Sequence, residues 1–316
     1  MTASHPPTGV VVMAYGTPRS PDDVEAYYTH IRRGRPPTPE QLTNLQARYD
    51  ALGGVSPLAQ RTEAQRAALA AALDATDPGR FQVVLGQKHA APFIEDAIDG
   101  LADAGCTRTV GLVLAPHYAG ASVGEYQARA TESAEARGVS HVGIRSWHLE
   151  SAEVEFLAAA VADARAALPA RTRILFTAHS LPERALVGDP YPHQLAESAD
   201  AVATRLGLAD AEWGLGWQSA GATPDPWRGP DVLELLRTFG ADEAVDGVLV
   251  CAQGFTSDHL EVLYDLDIEA QRVADEVGLA FARTRCVNDD PSVMAALAAR
   301  VIRAADGDPT ALGAPE

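Results

Sequence analysis

Eight short apolar runs alternate with amphipathic segments along this chain, and the alternation restricts its possible folds more than any other feature. Each run is continuously apolar and bounded by turn-forming residues, which is typical of strands buried on both faces of a parallel sheet. The runs cover residues 9–14, 81–86, 109–115, 142–147, 173–178, 212–217, 247–252 and 279–283.

Helix signals lie between these runs. Ser20 and Pro21 suit an N-cap and a first helical position, and the two acids that follow suit a first helical turn. Thr38 and Gln41 have the spacing of a capping box. Further helices are predicted over residues 61–75, 92–104, 124–137, 153–167, 192–206 and 291–305.

Strands that alternate with helices predict βαβ units and an α/β fold with parallel sheets. The chain has 316 residues, more than the roughly 250–300 over which a single hydrophobic core grows. Four runs precede residue 148 and four follow it. We therefore predict two similar doubly wound lobes, residues 1–149 and 150–316, each a parallel four-stranded sheet flanked by helices.

Charge and cysteine usage exclude several classes of protein. The formal net charge of −18 disfavours nucleic acid as a partner, because an acidic surface repels phosphate. The first nine residues lack the pattern of a signal peptide, and no apolar stretch approaches the roughly 20 residues of a membrane span. Cys106, Cys251 and Cys286 are too scattered for a disulfide framework or a zinc site. We expect a soluble cytoplasmic protein.

Ligands of parallel sheets bind at the carboxyl ends of the strands, so the residues that follow each run are candidates for a site. There is no Gly-x-Gly-x-x-Gly or Walker motif, which disfavours a nucleotide. The polar residues at these positions include Tyr15, Thr17, Gln87, Lys88, His89, His117, Tyr118, His148, His179, Ser180, Gln218, Ser219 and Gln253.

The segment around residue 261 is unusually acidic. In a helix, Glu261, Asp265 and Glu269 follow one another at four-residue intervals and form a row about 12 Å long. Like charges at this spacing destabilise a helix by roughly 0.2–0.5 kcal/mol per pair, and no basic residue in the window offsets them. Such a row can bind a hard divalent cation and pass it along. The alternative is a solvated acidic helix face.

His179 stands at the carboxyl end of a predicted buried strand. An imidazole held rigidly there can accept a proton near neutral pH or bind a borderline metal ion. A structural histidine with satisfied hydrogen bonds is the alternative.

A basic segment and an aromatic loop favour a large flat ligand with acidic edges. Arg32 and Arg48, with Tyr49 and Ser56 nearby, can bind carboxylates, although charge at a helix end also explains Arg32. Residues 216–230 are rich in Gly and Pro and carry two Trp rings, which suits either an apolar binding wall or an ordinary ordered loop.

Together these motifs resemble the ferrochelatase family, and the match is closest to the soluble bacterial branch that acts on coproporphyrin III. They run in family order from residue 13 to residue 265. The motifs are MAYGTP, YYTHIRRGR, RYDALGGVSPLAQ, TAHSLPE, GWQSAGATPDPWRGPD and GFTSDHLEVLYD.

The resemblance implies two Rossmann-like lobes of the chelatase type, with the porphyrin in the cleft between them. It implies that His179 and Glu261 are catalytic and contact the metal, and that Asp265 and Glu269 extend the metal path. It also implies that Tyr15 lies over the opposite face of the ring. The residues implied to bind the porphyrin are Tyr15, Arg32, Arg48, Tyr49, Ser56 and Tyr126.

Two departures from the family's patterns refine this expectation. Some relatives bind a [2Fe–2S] cluster through cysteines near the C-terminus, but this chain has no cysteine after Cys286, so we expect no cluster. Relatives on the protoporphyrin route often carry an apolar lip that meets the membrane, whereas residues 32–44 here are polar.

The expected function is insertion of Fe2+ into coproporphyrin III in haem biosynthesis, with no cofactor besides the substrate iron. Three alternatives remain open. The protein could insert Fe2+ into protoporphyrin IX, it could act on another metal or tetrapyrrole such as cobalt and a corrin precursor, or it could be a non-catalytic carrier of haem or iron. We expect a monomer that makes at most transient contact with the next haem-pathway enzyme.

Overall fold

The computed structural model describes residues 6–221 and 223–313. These residues form two compact units, residues 6–147 with 288–313 and residues 148–287. The predicted α/β class is confirmed, because all eight predicted strands are present in two all-parallel sheets flanked by helices. The strands are β1 (Thr8–Ala14), β2 (Phe81–Gln87), β3 (Arg108–Val113), β4 (Ser140–Ile144), β5 (Thr172–His179), β6 (Trp213–Gln218), β7 (Gly247–Cys251) and β8 (Ala280–Arg283).

The helices fall where the capping signals and amphipathic segments predict them, with two additions, at Val232–Gly240 and Gln271–Val277. Helix α8 was not predicted from the sequence; it begins after Asp231, whose side chain accepts a hydrogen bond from the backbone of Leu233. The helices are α1 (Val24–Ile31), α2 (Pro39–Asp50), α3 (Leu58–Thr76), α4 (Ile94–Asp103), α5 (Glu125–Ala136), α6 (Ser151–Arg165), α7 (Tyr191–Leu206), α8 (Val232–Gly240), α9 (Leu260–Val262), α10 (Gln271–Val277) and α11 (Pro291–Ala305).

The first unit is built on a sheet with the strand order β2-β1-β3-β4. Residues 10–13 of β1 have no exposed surface, because this central strand is covered on both faces. Tyr15 and Gly16 follow the carboxyl end of β1, and the adjacent β2 ends at Gln87, which pairs with Ala14 at the end of β1. The sheet therefore places the segments that follow β1 and β2 side by side.

The second unit repeats this arrangement with the order β6-β5-β7-β8. Ile174 and Phe176 of β5 are completely buried, as expected for a central strand. The register pairs His179 with Gln218, so both side chains leave the sheet at the same edge. This edge carries the candidate site described below.

The C-terminal residues differ from the expectation that they belong to the second lobe. Helix α11 packs against α3 and β3 of the first unit. Arg108 donates a hydrogen bond to the carbonyl of Ala304 at 3.3 Å, and Arg80 forms an ion pair with Asp306. The apolar face of α11 is fully buried there, since Leu297 has no exposed surface. Burial of this face, rather than proximity along the chain, decides which sheet receives the helix.

The acidic segment is not the regular α-helix that its spacing predicts. After the single turn of α9, residues Leu263–Ala270 are π-helical, and α10 then continues to Val277. A π-helix pairs each amide with the carbonyl five residues earlier, so the 3.6-residue repeat does not hold across this segment. Short π-helical stretches occur frequently at functional sites.

Across residues 6–221 and 223–313, no helix is both long enough and apolar enough to cross a membrane.

Candidate active site

His179 is the last residue of the central strand β5, and its backbone is firmly held. The hydroxyl of Tyr191, from α7, donates a hydrogen bond to the His179 carbonyl at 3.2 Å. The imidazole Nδ1 donates to the carbonyl of Ser180 at 2.5 Å, which directs Nε2 away from the strand. The side chain retains about a third of its exposure (33%), so Nε2 is available for chemistry.

Glu261 meets this imidazole from the neighbouring α9. Its Oε1 lies 3.6 Å from Nε2 of His179, and its Oε2 lies 3.6 Å from Nε2 of His259. The side-chain amide of Gln218 donates to the backbone carbonyl of Glu261 at 2.8 Å and ties α9 to the end of β6. One carboxylate therefore stands between two imidazoles at the carboxyl edge of the sheet.

The charges of this group stabilise one another. Burial by itself would lower the pKa of His179, but the carboxylate of Glu261 and the carbonyl of Ser180 raise the pKa to about 9. Burial would likewise raise the pKa of Glu261, but His179 and then His259 hold that pKa well below its usual range. At neutral pH the pair is an imidazolium and a carboxylate. It can hold a proton at Nε2 and offer carboxylate oxygens to a cation.

The two further acids of the predicted row are in different environments. Asp265 is only 6% exposed, and its carboxylate accepts a hydrogen bond from Ser219 at the end of β6. Glu269 is half-buried and lies near the end of the π-helical segment. Within the described parts of the chain, no three His, Cys, Asp or Glu side chains are grouped so that they could hold a metal ion.

Tyr15 follows β1 in the first unit and is 42% exposed. Its ring lies against His89, with the ring centroids 4.6 Å apart. His89 in turn places its Nδ1 3.0 Å from Nδ1 of His30. Burial, followed by the charge of Lys88, lowers the pKa of His89 to about 4, so this imidazole is neutral at physiological pH.

The other predicted porphyrin-binding residues all lie in the first unit. Arg32, just after α1, lies over the ring of Tyr28 at 5.7 Å and donates from Nε to the carbonyl of Arg35. Arg48 is half-buried on α2. Tyr49, Ser56 and Tyr126 are buried, with 3%, 6% and 4% exposure.

Sequence reasoning assigned no role to the charged network around Tyr126. The ammonium of Lys88 lies 5.2 Å from the Tyr126 ring centroid and 2.8 Å from the carboxylate of Glu125. Arg129 donates from Nε and Nη2 to the two oxygens of Glu95, both at 2.7 Å, and from Nη1 to the carbonyl of Lys88 at 2.9 Å. Lys88 was recognised only as a residue that follows a strand.

Sequence reasoning also missed roles for Gln218, Ser219 and His259. Gln218 is the last residue of β6 and Ser219 follows it, so their position at a strand end was a usable signal, but only the folded chain brings them against Glu261 and Asp265. His259 stands two residues before Glu261, and its extended backbone turns the ring back toward that carboxylate.

Comparison with known proteins gives one consistent result. A family model described as Ferrochelatase matches residues 7–305. Coproporphyrin III ferrochelatase from Geobacillus kaustophilus is 44% identical over 309 residues, which are 95% of this chain and 97% of that relative. The Bacillus subtilis protein of the same name is 44% identical over 302 residues, with 93% and 97% covered.

Two solved structures share the fold at low sequence identity. SirB from Bacillus subtilis with Fe3+ has a TM-score of 0.60 at 12% identity and covers 95% of this chain and 98% of its own. CbiX, described as the terminal enzyme of sirohaem biosynthesis in denitrifying bacteria, has a TM-score of 0.53 at 14% identity and covers 94% and 99%. These likenesses show the fold alone.

Proposed function

This chain belongs to the ferrochelatase family, and from that membership we propose that it inserts Fe2+ into coproporphyrin III to form the iron porphyrin of haem biosynthesis. The observation that carries the substrate is the set of relatives, 43–44% identical over more than nine tenths of the chain and named coproporphyrin III ferrochelatase. The pairing of His179 with Glu261 supports the same conclusion.

His179 is proposed as the acceptor of the pyrrole protons. A free-base porphyrin loses two inner N–H protons when a metal enters, so a base must stand near the ring. The high pKa of His179 means that its Nε2 carries a proton at neutral pH before the substrates bind. An arriving dication repels the imidazolium and lowers that pKa. Loss of this proton to solvent then leaves Nε2 free to accept one proton from the ring, and the second ring proton passes to solvent water.

Glu261, Asp265 and Glu269 are proposed as oxygen ligands of the incoming iron, and Nε2 of His179 as its nitrogen ligand at the stages when that atom carries no proton. The low pKa of Glu261 keeps its carboxylate charged at any physiological pH, as a metal ligand requires. A hard cation prefers oxygen ligands, and an imidazole suits iron as well. The fixed backbone of Glu261, held by Gln218, supports a role at the point of insertion.

Residues of the first unit are proposed to bind the macrocycle. Arg32 and Arg48 supply positive charge for propionates, and Tyr49 and Ser56 supply neutral donors. The exposed ring of Tyr15 is proposed to face the macrocycle as an axial contact, and Tyr126 to line its edge.

Several further properties belong to this proposal. We propose that the enzyme works as a cytoplasmic monomer, needs no cofactor beyond its substrate iron, and passes its product to the next enzyme through transient contact. The expected absence of a [2Fe–2S] cluster stays a prediction, supported by the burial of the thiols of Cys106, Cys251 and Cys286.

Steady-state iron insertion tests the proposal, with coproporphyrin III and protoporphyrin IX compared in buffers with and without detergent. We expect a higher kcat/KM for coproporphyrin III in both buffers. We expect His179→Ala to abolish insertion while the circular dichroism spectrum stays that of the wild type. Higher kcat/KM for protoporphyrin IX would reassign the substrate, and tight porphyrin binding without turnover would support a carrier.

A further inference from the structure

Ser180 follows His179 directly and is bonded to two other segments of the second unit. Its hydroxyl donates a hydrogen bond to the carbonyl of Arg228 at 2.7 Å, and its backbone amide donates to the carbonyl of Gln218 at 2.8 Å. Ser180 is only 1% exposed, so loss of the hydroxyl would leave a bond unmade where water has little access. These two contacts attach Ser180 to the end of β6 and to the segment that follows β6.

The residues after Ser180 continue this attachment. The backbone amide of Arg228 donates to the carbonyl of Leu181 at 3.0 Å, and Pro182 forms an antiparallel bridge with Trp227. Residues 180–182 and 227–228 therefore run side by side. The bond from the Ser180 hydroxyl is the contact of this pairing that lies nearest to His179 along the chain.

The carbonyl of Ser180 is in turn the partner of the His179 side chain. Nδ1 of His179 donates to this carbonyl at 2.5 Å, while Nε2 lies 3.6 Å from Oε1 of Glu261. The two nitrogens have a fixed relation within the ring, so a fixed partner for Nδ1 determines where Nε2 points. The position of the Ser180 carbonyl therefore controls which nitrogen faces Glu261.

We propose that Ser180 is a positioning residue for His179. Its hydroxyl, bonded to Arg228, keeps the Ser180 carbonyl in place as the acceptor of the Nδ1 proton, and Nε2 is thereby held toward Glu261 in the orientation that accepts a proton from the porphyrin. This inference rests on the proposed function and extends it to a residue that acts through His179 rather than on the substrates.

Rotation of the imidazole gives the physical reason. The ring turns about its Cβ–Cγ bond unless packing or a hydrogen bond selects one orientation, because this torsion has only a broad, two-fold preference. A backbone carbonyl that accepts the Nδ1 proton selects the orientation in which Nε2 faces the site. If that carbonyl shifts, part of the population presents a different ring atom to Glu261, and turnover falls.

Ser180→Ala removes the hydroxyl and keeps the backbone. We expect kcat for iron insertion to fall about tenfold, as suits the loss of one buried hydrogen bond. The KM for coproporphyrin III should stay that of the wild type, because the residues proposed to bind the macrocycle lie in the first unit. Solvent exchange of the His179 Nδ1 proton, followed by 1H–15N NMR on the substrate-free protein, should become faster in the variant.

Thr172→Val is the matched control. Thr172 begins β5, the strand that His179 ends, and its buried hydroxyl donates to the carbonyl of Pro169 at 2.7 Å. The substitution removes a hydrogen bond of the same type and length from the opposite end of the same strand. We expect it to leave both kcat and the exchange of the His179 Nδ1 proton unchanged.

Three results would overturn the inference. They are a Ser180→Ala enzyme with the wild-type kcat, a lower kcat without faster exchange of the His179 proton, and an equal loss of kcat in Thr172→Val. A wild type that inserts no iron, together with faster exchange in Ser180→Ala, would instead contradict the proposed function and leave the positioning of His179 in place.

The wild type alone decides the matter if circular dichroism shows that Ser180→Ala does not fold. Slow exchange of the His179 Nδ1 proton, compared with the ring protons of the exposed His193, would support a ring held by the Ser180 carbonyl. Exchange as fast as that of His193 would show that the carbonyl does not hold the ring and would overturn the inference.

Discussion

At the scale of single residues, the pair formed by His179 and Glu261 has opposed pKa shifts. Each group is moved toward its charged form by the other, against the effect of burial. In the proposed mechanism, His179 therefore starts protonated and becomes a base only when another positive charge arrives.

Glu261→Gln should lower the pKa of His179 from about 9 toward or below the ordinary value of 6.5, because Glu261 is the largest influence that raises it. Long-range 1H–15N NMR titration of the substrate-free protein measures this, with the His179 signal assigned from a His179→Asn sample. Glu269→Gln is the matched control and should leave the pKa near 9. An unchanged pKa in Glu261→Gln would show that the two groups are not coupled.

The same shift predicts how stability depends on pH. Because the folded-state pKa of His179 is raised above 6.5 and that of Glu261 is lowered from 4.5, the pair contributes its full stability between pH 4.5 and 6.5 and loses it as the pH rises through about 9. The difference in Tm between the wild type and Glu261→Gln should therefore shrink between pH 6.5 and about 9. A difference that stays constant across the range would contradict the assignment.

At the scale of elements, the acidic segment is held from outside by Arg283 at the end of β8. Its guanidinium bonds both oxygens of Asp267, at 2.6 and 2.9 Å, and lies 3.2 Å from Asp258. These two acids flank Glu261 in the sequence, one three residues before it and one six residues after. A single arginine thus contacts both sides of the segment that carries Glu261.

Arg283→Met should lower the free energy of unfolding by about 2 kcal/mol, less than for a fully buried pair because Asp267 is partly exposed. It should also speed hydrogen exchange of the amides between residues 258 and 267, because both flanks lose their partner. Urea denaturation and exchange mass spectrometry measure the two effects.

Arg272→Met is the control for this prediction. Arg272 forms an exposed ion pair with Glu276, four residues on, at 3.5 Å, and its loss should change stability by less than about 0.5 kcal/mol. Equal exchange rates in the wild type and in Arg283→Met would mean that the segment is held by its own packing.

At the scale of the whole molecule, the charge of the protein and the charge of its proposed substrate have the same sign. The formal net charge of −18 opposes the approach of a porphyrin with four propionates, so arginines acting at short range must provide the attraction.

Arg32→Ala should therefore reduce kcat/KM for coproporphyrin III more than for protoporphyrin IX, which has two propionates. The loss should be about tenfold if one charged hydrogen bond is removed. Steady-state assays with both porphyrins measure the ratio. Arg184→Ala, which removes an exposed charge paired with Asp225 in the second unit, is the control and should leave the ratio unchanged. Equal losses for both substrates in Arg32→Ala would show that Arg32 does not distinguish them.

The secondary-structure elements of this protein can be predicted from local sequence, because short apolar runs and capping residues influence the backbone only within a few positions. All eight strands, the capping box at Thr38 and the position of His179 at a strand end follow from such signals. The family motifs likewise predict that Glu261 belongs to the site.

Tertiary structure alone decided what depends on residues far apart in the chain. Three features could not be predicted from neighbouring residues. They are the packing of α11 on the first unit, the π-helical form of residues 263–270, and the hydrogen bond from Ser219 to Asp265. Ser219 and Asp265 are 46 positions apart, and the sequence around either residue does not predict its contact with the other. Their pairing depends on which strands are adjacent in the sheet and on which apolar helix faces are buried against it. Both are determined only when the whole unit packs.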